Sequence, residues 1–201
     1  MKKLVIASKN PGKINEFKKF LKELDFKILS LKDVGVDVGV EETGKTYYEN
    51  SKLKGVYYAK LINLPVISDD AGLEIDALNG EPGINSRRWL GRHSTDEELI
   101  NHLTKVSKNL PKNNRKAIFR TVITLALPNG KYFQAMGKVN GVIAQKPASI
   151  KLKGYPFRMF FYFPKIKKYD LESELSKEEE RIYNHRYKAI KKLLPVIKKY
   201  A

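Results

Sequence analysis

The chain has 201 residues, 42% of them hydrophobic, with no cysteine, three histidines and a formal net charge of +17 at pH 7. That size and apolar content suit one domain over residues 1–201, or two lobes sharing a cleft, with a sizeable core. The absence of thiols excludes disulfides, thiolate catalysis and cysteine-bound metals, and three scattered histidines argue against a histidine-rich metal site. The positive charge favours anionic partners such as polyphosphates or nucleic acid, although a Lys-rich surface adapted to heat explains it equally well. No apolar run approaches the ~20 residues needed to span a bilayer. The basic-then-apolar start carries only four apolar residues, Leu4 to Ala7, before Ser8-Lys9-Asn10. It reads as a first strand and not a signal peptide, so a cytoplasmic protein is expected.

In chain order, residues 3–8 read as a buried strand, followed by the turn Lys9-Asn10-Pro11-Gly12. A helix is expected from Lys13, with Ile14, Phe17, Phe20, Leu21 and Leu24 on one face. Phe26 to Leu31 reads as a second strand, residues 46–62 as a helix, and Pro65-Val66-Ile67-Ser68 as a short buried strand ending at Asp69-Asp70. Leu73-Glu74-Ile75-Asp76 alternates as a half-buried strand does. Asn79-Gly80 and Pro82-Gly83 punctuate the loop that follows. Residues 95–107 suit a helix with Ser94 as candidate N-cap, and Ala117 to Leu127 with Lys131 to Gly137 form a hairpin around Pro128-Asn129-Gly130. A helix closes the chain from Lys177 to Tyr200, bent before Pro195. Alternating strands and helices early, then strands, place the chain in the α/β class.

Four stretches carry candidate chemistry. Ser8-Lys9-Asn10-Pro11-Gly12-Lys13 is a strand–turn–helix, whose helix N-terminus offers N–H groups to an anion, with Ser8, Asn10 and Lys13 adding donors and charge. The plain alternative is an ordinary turn on a basic surface. Glu41-Glu42 with Asp69-Asp70 supplies the hard oxygen ligands that magnesium prefers. An acidic pair after a buried strand also lies where open α/β sheets expose their sites. Otherwise Asp69-Asp70 only caps the next element. Gly39-Val40-Glu41-Glu42-Thr43-Gly44-Lys45-Thr46 matches the phosphate-loop pattern G-x-x-x-x-G-K-S/T. Two glutamates inside such a cradle would repel phosphates, which argues against that reading. Last, Asn184-His185-Arg186, with Arg88 and Lys54 elsewhere, could hydrogen-bond a purine carbonyl or simply populate a basic surface helix.

Read together and in order, these segments resemble the inosine triphosphate pyrophosphatase family. Ala7 to Glu16 is similar to its A-T-G-N-x-x-K-x-x-E, and Glu41-Glu42-Thr43-Gly44-Lys45-Thr46 through Glu49-Asn50 and Lys54 to its E-E-x-G-x-T-F-x-E-N-A-x-x-K. Ser68 to Gly80 is similar to D-D-S-G-L-x-V-x-A-L-x-G, and Pro82-Gly83-Ile84-Asn85-Ser86 with Arg88 to P-G-x-x-S-A-R. Arg115, Ala117 and Phe119 match R-x-A-x-F, and His185-Arg186 falls in S-H-R. The resemblance runs from residue 4 to about residue 193. It implies an elongated mixed β-sheet with flanking helices, two lobes around a central cleft, shared in outline with Maf-type proteins, and a homodimer. It also implies hydrolysis of non-standard purine nucleoside triphosphates (ITP, dITP, XTP) to monophosphate and pyrophosphate. On that basis Glu41 and Asp70 hold magnesium, with manganese as a substitute, and Asp70 activates water with Asp69 supporting it. Ser8, Lys9, Asn10, Lys13 and Lys54 take the phosphates, and Tyr155, Phe157, Arg158, Glu180, His185 and Arg186 fall to base recognition.

The base-binding half departs from the family pattern. In place of G-F-G-Y-D-P-I-F stands Gly154-Tyr155-Pro156-Phe157-Arg158-Met159-Phe160-Phe161, so a flexible glycine has become Pro156 and an aspartate Arg158. Glu180 stands where a lysine is expected, Asn184 where the serine precedes His-Arg, and Ala71 where a serine follows the acidic pair. The opposite charge reversals at Arg158 and Glu180 suggest a swapped ion pair. Two alternatives remain: a pyrophosphatase of altered or relaxed base choice, and a retired scaffold that binds nucleotides or nucleic acid, which is not favoured.

Overall fold

The computed structural model describes residues 2–200. Its strands are β1 (Lys2–Ala7), β2 (Phe26–Ser30), β3 (Val66–Ile75), β4 (Lys116–Ala126), β5 (Tyr132–Ile143), β6 (Phe161–Phe163) and β7 (Lys168–Tyr169). The helices are α1 (Pro11–Leu21), α2 (Tyr47–Ile62), α3 (Asp96–Asn109), α4 (Lys177–Tyr183) and α5 (His185–Tyr200). The strands form a seven-stranded sheet in the order β2-β1-β3-β4-β5-β6-β7. β1 runs parallel to β2 and β3, whereas β6 is antiparallel to β5 and β7, so the sheet is mixed and the class is α/β as expected. Among the described residues no helix is long and apolar enough to cross a membrane.

The contacts divide the chain into two compact units: Met1–Asp70 with Thr121–Gly137 and Arg186–Ala201, and Ala71–Arg120 with Lys138–His185. In the first, β1 is buried on both faces, as a central parallel strand must be. Leu4 and Ile6 pack with Phe17 and Leu21 of α1 and Ala189, Ile190, Leu193 and Ile197 of α5. Val5 and Ala7 pack with Tyr58 and Ala59 of α2. Gly55 lets α2 lie close on β3: a Cβ there would stand 2.7 Å from Ser68 Oγ. In the second unit a separate core joins Leu73 and Ile75 of β3, Leu99 and Leu103 of α3, and the aromatic run Phe157, Phe160, Phe161 and Phe163.

Four boundaries differ from the sequence reading, each for a local reason. The two short strands expected around Asp69-Asp70 are one strand, β3, because Ala71 and Gly72 keep its extended ladder instead of turning. Thr95, not Ser94, caps α3: its hydroxyl accepts the Glu98 N–H while the Glu98 side chain returns to the Thr95 N–H, a reciprocal box. β5 continues past Gly137 to Ile143, where it pairs with β6. The closing helix is two helices, because Asn184 takes an extended conformation (φ −100°, ψ 119°) and ends α4; Pro195 lies inside α5.

Candidate active site

The phosphate-loop candidate forms as its residue types require. Asn10 is the N-cap of α1, its Oδ1 accepting the Lys13 N–H at 3.2 Å, and Pro11 occupies the first turn, where its missing N–H costs nothing. Ser8 Oγ accepts the Asn10 N–H at 3.2 Å, tightening the entry to the helix. Lys13 reaches across to Asp69, with Nζ 3.2 Å from Oδ1 and 3.1 Å from Oδ2. Lys9 turns the other way and holds the Asp37 carbonyl (2.6 Å) and carboxylate (2.9 Å). The loop therefore sends one lysine to the acidic pair and one to the 34–38 segment.

Asp69 and Asp70, both buried on β3, have different surroundings. Asp69 Oδ2 accepts from Arg186 Nη2 at 2.9 Å and Nε at 3.2 Å, and the same guanidinium grips the buried Glu16 carboxylate of α1. Burial alone would raise the Asp69 pKa, but Lys13, Arg186 and Lys54 together hold it well below the usual carboxylate range. Burial lowers the Lys13 pKa more than Asp69 restores it, and Lys54 and Arg186 add to the lowering. The Asp70 carboxyl meets an amide instead of a guanidinium. Its Oδ2 accepts from Asn50 at 3.1 Å, and the Asp70 carbonyl accepts the Thr121 hydroxyl at 3.1 Å. Burial, reinforced by Glu42 against the pull of Lys54, pushes Asp70 up to about 6.

The two glutamates separate. Glu41 is exposed, whereas Glu42 is half-buried and bonds Lys54 Nζ at 2.6 Å. Burial works against the Lys54 charge, but Glu42, Asp70 and Asp69 outweigh it and raise the lysine pKa. The carboxylate that shares the field of Asp70 is thus Glu42, one residue beyond the position the motif alignment suggested for metal. The segment 39–46 is not a phosphate cradle. The Gly44 N–H is taken by Asn50 Oδ1 (2.8 Å), and the Lys45 and Thr46 N–H groups by the Glu49 carboxylate (2.7 and 2.9 Å). Thr46 caps α2, and Lys45 is exposed. A cradle works through backbone donors aimed at the anion, and here side chains occupy three of them. Gly44 is needed for this packing, since a Cβ there would stand 2.7 Å from Asn50 Oδ1.

The residues aligned with base recognition are placed as follows. Arg186 belongs to the first unit and is committed to Asp69 and Glu16. Tyr155, Phe157, Arg158, Glu180 and His185 belong to the second. His185 is buried and stacks on Phe119, centroids 5.2 Å apart at 19°. Glu180 is buried on α4, and Arg158 is buried beside Asp170, Nε to Oδ2 3.4 Å. Its guanidinium carbon lies 4.0 Å from the centroid of the half-buried Tyr155 ring. Arg115, a motif residue, is structural: it donates to the carbonyls of Ser107 (2.9 Å), Leu110 (3.2 Å) and Ile143 (2.6 Å), closing the end of α3.

Sequence reasoning assigned no role to Asn50, Glu16 or Thr121. Asn50 and Glu16 stand inside the motifs, so the signal was present; Thr121 sits in an apolar strand with none.

The model of the Ham1 family matches residues 4–196. The chain belongs to the Ham1 family. Curated relatives include a dITP/XTP pyrophosphatase of Clostridium perfringens, 37% identical with 96% of each chain covered. One of Thermus thermophilus is 40% identical, covering 98% of this chain and 92% of the relative. The Staphylococcus aureus Ham1 protein structure superposes with a TM-score of 0.79 at 38% identity, covering 98% of this chain and 99% of that one. A Ham1 protein from Coxiella burnetii gives 0.82 at 32% identity, covering 99% and 100%. The family match thus spans both the acidic pair and the altered 154–158 stretch.

Proposed function

We propose that this Ham1-family chain hydrolyses the non-standard purine nucleoside triphosphates dITP, ITP and XTP to the monophosphate and pyrophosphate. The observation that carries the reading is the contrast at Asp69-Asp70: the Asp69 carboxylate is clamped by Lys13 and Arg186, whereas the Asp70 carboxylate accepts from the Asn50 amide and shares the field of Glu42. The curated relatives named dITP/XTP pyrophosphatase support the substrate class.

Asp70 and Glu41, the pair the resemblance implies, with Glu42 beside Lys54, supply hard carboxylate oxygens, while the described residues hold no group of three or more acidic, histidine or cysteine side chains that could hold a metal. That donor set fits magnesium, with manganese as a substitute, held by one or two carboxylates together with substrate phosphates and water. When bound, the metal supplies Lewis-acid polarisation of the phosphorus under attack. The chain's own residues do the rest. Asp70 takes the proton of the attacking water as its oxygen bonds to the α-phosphorus; the bond from that phosphorus to the bridging oxygen breaks, and pyrophosphate leaves. Asn50 aims the Asp70 carboxylate, and Lys54 and the Ser8–Lys13 turn take up phosphate charge. A homodimer belongs to the same reading, carried by the resemblance alone.

Hydrolysis of ITP in ¹⁸O-water, followed by mass spectrometry, tests the reaction. Label in the monophosphate with unlabelled pyrophosphate is expected; label in orthophosphate would mean cleavage at the γ-phosphate and would overturn the reading.

A further inference from the structure

Ser51 stands at the alanine of the E-N-A segment, so the first unit buries a hydroxyl there that the motif does not call for. Ser51 and Thr124 of β4 are fully buried, and Ser68 of β3 is 1% exposed. A buried hydroxyl without a partner costs stability, so three of them together need a complete set of bonds. They have one. Ser51 Oγ and Thr124 Oγ1 lie 2.7 Å apart. The Ser51 hydroxyl also reaches the Ser68 carbonyl at 3.4 Å, and the Ser68 hydroxyl donates to the Ser51 carbonyl at 2.7 Å. Gln134 of β5 donates to Thr124 Oγ1 at 3.0 Å and to the Tyr48 carbonyl, in the first turn of α2, at 2.8 Å. All of these residues belong to the first unit.

The bonds run in one direction. The Gln134 amide nitrogen only donates, which leaves the Thr124 hydrogen for Ser51 and the Ser51 hydrogen for the Ser68 carbonyl. The chain Gln134–Thr124–Ser51–Ser68 thus passes from β5 through β4 and α2, and ends on β3 at the residue before Asp69. Buried hydrogen bonds aligned head to tail reinforce one another. Gly55, one turn further along α2, leaves the room they need, since a Cβ there would stand 2.7 Å from Ser68 Oγ. Asn50 is the neighbour of Ser51 on α2, and Asp70 lies just beyond Ser68 on β3. The network therefore ties together the two backbones that carry the Asn50–Asp70 bond of 3.1 Å.

We propose that Ser51, Thr124 and Gln134 are positioning residues that register α2 against β3 and so hold the Asn50 amide on the Asp70 carboxylate. This role rests on the pyrophosphatase reading above and adds to it residues that touch no substrate. An apolar seam would hold helix and sheet together, but apolar contact has no direction. Hydrogen bonds do, so the hydroxyls fix where the helix stops along the strand. The three residues act through Asn50, and their contribution belongs to the chemical step and not to substrate binding.

The experiment compares wild type with Thr124→Val, which keeps the shape and removes the hydroxyl, and with Thr124→Ser, which keeps the hydroxyl. Thr124→Val combined with Ser51→Ala removes both hydroxyls of the pair, should the single variant fail to fold. Steady-state kinetics with magnesium gives kcat and KM for ITP. NMR of the ¹⁵N-labelled protein without metal follows the Asn50 side-chain amide, identified by its loss in Asn50→Ala. In Thr124→Val and the double variant, kcat should fall about three- to tenfold, the scale of coupling through a packed network, with KM within about twofold. The Asn50 amide resonance should move in both, and Thr124→Ser should bring kcat and resonance back towards wild type. A wild-type kcat or a wild-type Asn50 resonance in a folded Thr124→Val or double variant marks a merely structural role and overturns the proposal. A raised KM at constant kcat overturns it as well. Wild type that releases no pyrophosphate from ITP overturns the pyrophosphatase reading and leaves the Asn50 resonance to decide this one.

Discussion

Asp69 and Asp70 are consecutive residues on one strand, yet their carboxyl groups are driven in opposite directions, the first down by Lys13, Arg186 and Lys54 against its burial, the second up by burial to about 6. Alternation along β3 sends the two side chains to opposite faces, so they meet different partners. This makes stability depend on pH in two adjoining windows. Asp69 contributes stability that is present above its unfolded value of 3.8 and lost as pH falls through its folded one. Asp70 does the reverse: between 3.8 and about 6 the folded state binds more protons, so without added metal stability falls as pH rises. Asp70→Asn removes that fall. Above pH 6 the variant should exceed wild type by about 2 to 3 kcal/mol, the free-energy equivalent of raising one carboxyl from 3.8 to about 6. Chemical denaturation at pH 4 and pH 7 checks this; a difference independent of pH contradicts it.

Arg186 is shared between two buried carboxylates on different elements, Glu16 of α1 and Asp69 of β3. Arg186→Met takes the shared guanidinium from both, so a loss of about 3 to 5 kcal/mol is expected in urea unfolding. Arg186→Lys keeps the charge but not the fork, and it should recover part of that loss. Equal stability of Arg186→Met and wild type would show that the clamp is idle.

Asn50 is fully buried and spends its amide on Asp70 and its carbonyl oxygen on the Gly44 N–H. Asn50→Ala should lower kcat on ITP by roughly 10- to 100-fold, the usual cost of losing an orienting partner, with KM little changed. A rise in KM at constant kcat would place Asn50 in substrate binding instead.

Lys45 separates the proposed chemistry from that of a phosphate-loop enzyme. It is exposed, and its N–H already belongs to Glu49. Lys45→Ala should retain wild-type pyrophosphate release within about twofold, because exposed substitutions away from buried partners have small effects. Loss of all activity would revive the phosphate-loop reading.

Much of the fold was legible because its signals are local. The apolar run Leu4–Ala7, the Asn10-Pro11 start of α1 and the Gly130 turn each act within a few residues. What the sequence hid depends on competition between neighbours. Ser94 is in isolation the better cap of the two, and only Glu98 three residues after Thr95 decides for Thr95. Glu41 and Glu42 are the same residue type side by side, and which one faces Lys54 depends on the course of the chain before α2. Arg186 stood among the base-recognition candidates, yet its guanidinium is committed to Glu16, 170 residues away in the chain. Asp170, the partner of Arg158, lies outside every motif, so no pattern pointed to it.

The most direct test incubates the pure protein with magnesium and, separately, ITP, dITP, XTP, ATP, GTP, CTP and UTP, measuring pyrophosphate and orthophosphate for wild type and Asp70→Asn. Pyrophosphate without orthophosphate is expected from ITP, dITP and XTP, and it should be lost in Asp70→Asn. Pyrophosphate release that survives Asp70→Asn, or none from any of the three, would contradict the proposed reaction.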